Sequence, residues 1–379
     1  MLTAPRPARP NPESPAPRPE AAPEPVALAG RAAPSIALGP PAPPSRSDRQ
    51  LTRRFIALHS KSFYLSSLLL PRRTRPEAWA LYAFCRQADD SVDGVNPGDG
   101  TVPADAPTQT AAMLEQVAKL RQRLAQVYAG NLGAGEDQAI DRAFHAVAVR
   151  TGLPQAVPQR LLCGMEMDAR GVSYGSWEDL LGYCFNVAAT VGLMMTYVMG
   201  HCMPPSRRDE VLLRACDLGV AMQLSNIARD VGEDARRGRV YLPDELLAAQ
   251  GLDAAQVLTL GQAGLPPPPA LREVVRELVR RADSHYRAAA LGVPMLPRES
   301  RLAIRSALLI YSGLGARLKA QGYDALTRRA YVPLGAKLVR VLCAWAQGIV
   351  PGNSLPAEAR TQGPADSLLG SLCREVGVL

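Results

Sequence analysis

Two stretches of this chain carry carboxylates beside their apolar faces instead of opposite them. In LYAFCRQADDSVD, residues 81 to 93, a helical advance of about 100° per residue puts Leu81, Cys85, Ala88 and Val92 on one apolar stripe. Tyr82, Arg86, Asp89 and Asp93 form a polar stripe only about 100° away. In GVAMQLSNIARDVGEDARRGRVYLP, residues 219 to 243, the apolar stripe is Val220, Leu224, Ile227 and Val231, and Gln223, Asn226, Asp230 and Asp234 lie about 60° from it. A surface helix turns its polar face away from the core; these two put it at the core's edge, as residues lining an interior space do. Carboxylates turned inward need counter-charge, because an unpaired buried charge is prohibitively costly. The fold must therefore bring two helices to one shared interior.

A divalent metal is the natural counter-charge. Carboxylate and amide oxygens are the hard ligands that suit Mg²⁺ or Mn²⁺, and Mg²⁺ commonly shares its shell with phosphate oxygens. The metal-ligating candidates are Asp89, Asp93, Asn226, Asp230 and Asp234, while Arg86, Arg229 and Arg239 are near enough in sequence to donate to phosphate. A single acid pair at i, i+4 is usually a solvated helix face. Two such pairs on core-edge stripes, one accompanied by Gln223 and Asn226, favour the metal reading. Asp90 falls about 100° off the stripe and has no assigned role.

The rest of the folded part reads as helix. Pro and Gly punctuate helical blocks at 53–70, 76–92, 111–129, 137–150, 155–170, 177–200, 206–233, 271–290, 298–321 and 332–348, with loops at 94–110 and 265–270. No run of alternating strand pattern occurs, so the expected class is all-α. With five Phe, three Trp and eleven Tyr, the core must be filled by Leu, Ala and Val. Fourteen of the 34 prolines lie in the first 50 residues, a segment with too little apolar surface to offset its ordering entropy. The expected organisation is a disordered Pro/Ala-rich tail over 1–48, one folded domain over 49–350, and a partly disordered C-terminal tail over 351–379.

Net charge is +8, of which the first 50 residues supply +2 through six Arg against three Glu and one Asp. The remaining excess suits anionic membranes, phosphorylated substrates or nucleic acid. No aromatic residues interleave the Arg runs and no recognition motif appears, which argues against a nucleic-acid partner. Seven scattered Cys without C-x-x-C, and four separated His without H-E-x-x-H, point to buried thiols in a reducing compartment. The longest uncharged run, VAATVGLMMTYVMG at 187–200, is too short to span a bilayer and suits a core helix. The start of the chain has no basic segment followed by an apolar block, so a secretory signal is not expected.

Four blocks carry a family resemblance. HSKSFYLSSLLLP (59–71), ALYAFCRQADDSVD (80–93), YCFNVAATVGLMM (183–195) and AMQLSNIARDVGEDARRGRVYLP (221–243) resemble, in order, the signature blocks of the head-to-head isoprenoid synthases, the squalene/phytoene synthase family. The last block is long and highly specific, and the resemblance covers about residues 51–350. It implies one isoprenoid-synthase domain, a helical bundle around a central cavity. It also implies that Asp89 and Asp93, and Asp230 and Asp234, are two aspartate-rich motifs whose Mg²⁺ holds the diphosphates of two prenyl substrates. By the same resemblance Arg86 and Tyr183 join the four aspartates as catalytic residues, and Ser60, Ser62, Phe63, Tyr82, Arg86, Gln223, Asn226, Arg239 and Tyr241 bind substrate.

The implied reaction begins when one diphosphate departs to leave an allylic cation, which the second chain's double bond attacks to form a cyclopropylcarbinyl diphosphate. A second ionisation, rearrangement and proton loss complete it. The cation must be kept from water. Ala188, Ala189 and Gly192 would let their helix approach its neighbours, with Val191, Leu193 and Met194 walling the pocket. One departure from the family pattern is Ala189, where Gly is usual.

GEDARRGRVYLPDELL and SFYLSSLLLPRR resemble the bacterial phytoene-forming members, which join two C20 geranylgeranyl diphosphates. Ser66 and Ser67, one turn after Phe63, are small and would leave room for that longer chain if they face the pocket. One alternative is a C15-specific synthase of squalene, dehydrosqualene or presqualene diphosphate. Another is a binding or assembly protein without the chemistry, which the retained aspartates disfavour. No G-x-G-x-x-G fingerprint appears, and no NADPH is expected. Because the substrates are amphiphilic and a C40 product is insoluble, the expectation is a cytoplasmic protein in peripheral membrane contact, with downstream carotenoid enzymes as candidate partners.

Overall fold

Turn residues and apolar periodicity divide the chain into fourteen α-helices among the described residues, with no strand. In chain order these are α1 (Arg46–His59), α2 (Arg75–Asp93), α3 (Ala106–Ala129), α4 (Ala139–Thr151), α5 (Ala156–Arg170), α6 (Trp177–Cys184), α7 (Thr190–Met199), α8 (Arg208–Arg236), α9 (Asp244–Ala248), α10 (Ala254–Gln262), α11 (Pro269–Gly292), α12 (Arg298–Ala320), α13 (Leu334–Ile349) and α14 (Ala365–Glu375). The computed structural model describes residues 45–59, 64, 67–93, 106–349 and 365–379. They fall within one unit, Ile36–Leu379.

Helix α8 is the hub. It packs against α7, α10, α11, α12 and α14, while α1, α2 and α4 form a second set joined to it through α7. Its apolar stripe is buried as expected, with Val220, Leu224, Ile227 and Val231 all in the core. On α2, Leu81, Ala88 and Val92 are likewise buried. Between α6 and α7 the backbone makes a π turn over Phe185–Ala189. The extra residue interrupts what the sequence presents as one continuous helix, a feature common at functional sites.

Small residues set the approach of α7 and the π turn to α8. A Cβ built on Gly219 falls 2.5 Å from the Ala188 carbonyl oxygen and 2.6 Å from Ala189 Cα, and one on Gly192 falls 2.5 Å from the Ala215 carbonyl oxygen. Backbone thus lies against backbone, and the methyl of Ala189 is accommodated because its partner on α8 is glycine.

Trp177–Met199 and Pro205–Arg236 are long and apolar enough to cross a bilayer by length and composition, yet 61% of the most apolar window of each is buried inside the bundle. They are core elements here.

Several boundaries differ from the sequence reading. Helix α1 begins at Arg46 because Ser45 and Asp48 cap it reciprocally (Ser45 N to Asp48 Oδ2 3.2 Å; Asp48 N to Ser45 Oγ 3.0 Å), and buried Asp48 is paired with Arg142 of α4 at 2.5 Å. Helix α3 starts at Ala106, inside the expected 94–110 loop. Helix α10 was not anticipated, although Asp253 and Gln256 form a full capping box at its start. In the expected C-terminal tail, α14 buries Leu369 and Cys373, and Val376 just beyond it is buried too, with Cys373 Sγ 3.5 Å from Cys216 Sγ of α8. Residues 1–44 and 350–364 lie outside the described residues.

Because rigid backbone is the neighbour, Gly219→Ala is expected to cost roughly 1–3 kcal/mol of stability in urea unfolding. Gly182→Ala, where nothing lies within 4 Å of the added carbon, should be tolerated. Equal stability of the two variants would refute the close-approach argument.

Candidate active site

Helix α2 ends with its acids in the grip of an arginine. Arg86 Nη1 lies 3.1 Å from Asp89 Oδ2, and Nη2 lies 2.5 Å from Asp90 Oδ1. His59, at the end of α1, brings Nδ1 to 3.5 Å from Asp90 Oδ2. Asp90 is therefore an anchor for Arg86 and α1. Arg86 Nε is buried with no acceptor among the described residues, so this guanidinium has unused donor capacity. Asp93 is the last residue of α2, and its side chain lies outside the described residues, as do Ser60, Ser62, Phe63 and Ser66.

The second stripe, on α8, is buried more deeply. Asp230 keeps 15% side-chain exposure and sits between two arginines: Arg229 Nε at 2.8 Å and Arg329 Nε at 2.9 Å both donate to Oδ1, and Arg229 Nη2 reaches Oδ2. Arg329 also pairs with Glu233 at 3.0 Å. One turn before Asp230, Asn226 Nδ2 is 3.5 Å from Gln223 Oε1. Burial first, and then the neighbouring Asp230, pushes the Asp234 carboxyl up to about 7 against the pull of Arg239. Asp234, Arg239 and Tyr241 share the wall of a small cavity with Ile227, Val231 and Val257.

Beyond it stands a tyrosine cluster. Tyr183 and Tyr241 stack with centroids 5.3 Å apart, and Tyr174 lies 5.2 Å from Tyr183. Both predicted tyrosines donate to one carboxylate, Asp168 on α5: Tyr183 Oη to Oδ2 at 3.0 Å and Tyr241 Oη to Oδ1 at 2.8 Å. Burial, reinforced by that carboxylate, raises both phenols, which stay protonated donors. On α12, burial raises the Tyr311 hydroxyl, the Arg229 charge of α8 opposes the rise, and Tyr82 of α2 adds to it.

Asp168, Tyr311 and Arg329 were absent from the sequence candidates. Asp168 had an indirect signal, since two buried tyrosine hydroxyls require an acceptor; Arg329 had none, being remote in sequence from Asp230. Ser67 departs from its expected role. Its hydroxyl accepts from Trp79 Nε1 and donates to the Tyr64 carbonyl, both at 2.7 Å, so it is buried and fastens the start of α2. Leu193 and Met194 are wholly buried core residues, while Val191 keeps partial exposure. A larger void of about 240 Å³ is lined by Gln87, Arg123, Asp137 and Asp141 and includes no member of either stripe.

The donor set fits a hard dication. Among the described residues no three His, Cys, Asp or Glu side chains converge as a ready metal site. Asp89 and Asp230 are instead held by arginine, and Asp234 is raised to about 7 by burial and like charge. A bound cation would relieve that repulsion, and displaced arginines would be free to meet an anion.

The squalene/phytoene synthase family model matches residues 56–336. The chain is 42% identical over 294 residues to a phytoene synthase of Rhodobacter capsulatus, covering 78% of this chain and 80% of that protein. It is 43% identical to one of Cereibacter sphaeroides, covering 77% and 78%. Among solved structures, a dehydrosqualene synthase in complex with ligand superposes with a TM-score of 0.66 at 26% identity, covering 79% of this chain and 96% of that one. A squalene synthase from Alicyclobacillus acidocaldarius shares the fold, with a TM-score of 0.61 at 24% identity over 74% of this chain and 95% of that one.

Two outcomes test the site's electrostatics. The folded value of Asp234, about 7, exceeds its ordinary 3.8, so the folded state binds that proton more tightly. Its contribution is present at low pH and lost as pH rises from about 4 through 7. In metal-free protein, Asp234→Asn should flatten that falling limb of Tm against pH; an unchanged limb refutes the assignment. Asp168→Ala should cost roughly 1–3 kcal/mol for each stranded tyrosine hydroxyl, and Asp168→Asn, which keeps an acceptor, clearly less.

Proposed function

The chain belongs to the squalene/phytoene synthase family, and on that premise we propose that it joins two geranylgeranyl diphosphates head to head, through prephytoene diphosphate, to phytoene, the first committed step towards carotenoids. It is a prenyltransferase. The observation that carries the C20 reading is identity of 42–43% to phytoene synthases, against 26% to the dehydrosqualene synthase structure. A C15 synthase is the less supported alternative.

Asp89, Asp93, Asn226, Asp230 and Asp234 would hold Mg²⁺ or Mn²⁺, which when bound supplies charge neutralisation at the departing diphosphate. Arg86, Arg229 and Arg329 would then turn from the carboxylates they hold here to the diphosphate oxygens, joined by Arg239. Ser60, Ser62, Phe63, Tyr82 and Gln223 complete the substrate contacts. Departure of one diphosphate leaves an allylic cation; the second chain's double bond attacks it, and a second ionisation, rearrangement and proton loss yield the hydrocarbon.

Tyr183 and Tyr241 present aromatic faces to that cationic chemistry, with Asp168 fixing both rings through their hydroxyls. No electron pair is added to the substrate in this sequence, so NADPH has no role. We place the protein in the cytoplasm at the membrane surface, where enzymes that take the product onward would meet it.

Purified protein incubated with Mg²⁺ and either the C20 or the C15 diphosphate, with and without NADPH, should release a C40 hydrocarbon by mass analysis, independent of NADPH. A C30 product alone overturns the C20 reading. Asp89→Ala and Asp230→Ala should each abolish turnover with the helical circular dichroism unchanged; retained turnover sinks the roles given to the two stripes.

A further inference from the structure

Helix α13 is amphipathic in the reverse sense. Its inner side is held by α12: Arg340 Nη1 donates to the Leu309 carbonyl at 2.5 Å, Arg305 Nη1 to the Ala344 carbonyl at 3.2 Å, and Ala344 is fully buried. Its outer side is apolar and bare. Leu334, Leu338, Leu342 and Trp345 recur at helical spacing and are 69%, 58%, 64% and 57% exposed, joined by Val339 at 58% and by Tyr331, just before the helix, at 66%. These are six of the ten exposed large hydrophobic residues among the described ones, so the patch is a concentration and not scatter.

The charge around this face has one sign. From Ala325 to Ile349 the chain contains no Asp or Glu; of its four bases Arg340 is turned inward to the Leu309 carbonyl and Arg329 to Asp230 and Glu233, which leaves Arg328 and Lys337 beside the face. An apolar stripe with a terminal Trp, flanked by bases and free of acids, matches an anionic lipid surface, where bases meet headgroups and apolar side chains enter the acyl boundary.

The face is also tied to the site. Arg329, two residues before Tyr331, holds Asp230 at 2.9 Å. Tyr311 lies two residues beyond Leu309 and so about 200° around α12 from the α13 contact. The bare face of α13 and the far side of α12 are therefore separated by those two helices, while Arg329 ties the segment before α13 directly to Asp230.

We infer that the outer face of α13, with Tyr331, is the surface by which this protein lies on an anionic bilayer, with α13 in the plane of the headgroups and α12 between it and the site. The inference deepens the proposed function and rests on it in one respect: a C40 hydrocarbon and its amphiphilic precursors reside in or on a bilayer, so the site gains from being held there.

The test is flotation of the full chain with phosphatidylcholine vesicles, with and without phosphatidylglycerol. Wild type should float with the anionic vesicles, with Trp345 emission moving to shorter wavelength. The triple variant Leu338→Gln/Leu342→Gln/Trp345→Gln should bind roughly tenfold more weakly. Arg328→Gln/Lys337→Gln should weaken binding at low salt, with the difference vanishing at high salt. Turnover of detergent-dispersed geranylgeranyl diphosphate should be the same in wild type and the triple variant. Equal flotation of wild type and triple variant, or no flotation of wild type, overturns the inference, as does a wild-type dimer by light scattering that the triple variant converts to monomer without any vesicle binding. If flotation separates the variants but wild type forms no C40 product, the docking surface stands and the proposed function falls.

Discussion

Everything about this site follows from carboxylates placed at the edge of an apolar core. Asp89 and Asp90 are held by Arg86, and Asp230 by Arg229 and Arg329. The Asp230–Arg229 pairing answers an electrostatic demand, since a charge brought out of water must find a partner, whereas Asp89 and Asp90 meet Arg86 with solvent still beside them. Where the partner is weak the demand shows: Asp234, with only the pull of Arg239 and Arg237 against burial and two neighbouring acids, has its carboxyl raised to about 7. The arginines that meet this demand are the groups a diphosphate needs, so one arrangement prepares both the metal-ligand acids and the anion-binding bases.

The helices can place these stripes only because α7 and α8 touch through backbone. Gly192 and Gly219 remove the side chains that would hold them apart, and the π turn at Phe185–Ala189 fits between them. That approach seats the helix segment carrying Tyr183 against α5, where Asp168 receives its hydroxyl together with that of Tyr241. Packing at three small residues and the orientation of two tyrosines are thus parts of one constraint.

Much of the fold was legible because its signals are local. The 3.6-residue periodicity of α2, α5, α8, α11 and α12 stands in the sequence, and so do the breaks at Pro71 and Pro268. The Asp253–Gln256 capping box is an equally local signal for α10. Helix α14 shows the other kind of miss: Leu369, Cys373 and Val376 have helical spacing, but only their burial against the rest of the bundle makes a short terminal helix stable. Within the site, Asp89, Asp230 and Asp234 were readable from stripe geometry, and Tyr183 and Tyr241 from family pattern. Asp168 and Arg329 were not, because each acts on residues far away in sequence.

The sequence by itself determined the helical class, the two polar stripes beside apolar ones, and the oxygen-rich donor set that selects hard metal and phosphate chemistry. These depend on periodicity and side-chain chemistry, which a single helix already possesses. Only the tertiary structure decided which arginine holds which aspartate, that Ser67 receives the Trp79 indole N–H, that one carboxylate fixes both tyrosines, and that α13 leaves its apolar face outward. Those outcomes depend on which residues remote in sequence share a low-dielectric space or are left outside it, and that is settled when the helices pack.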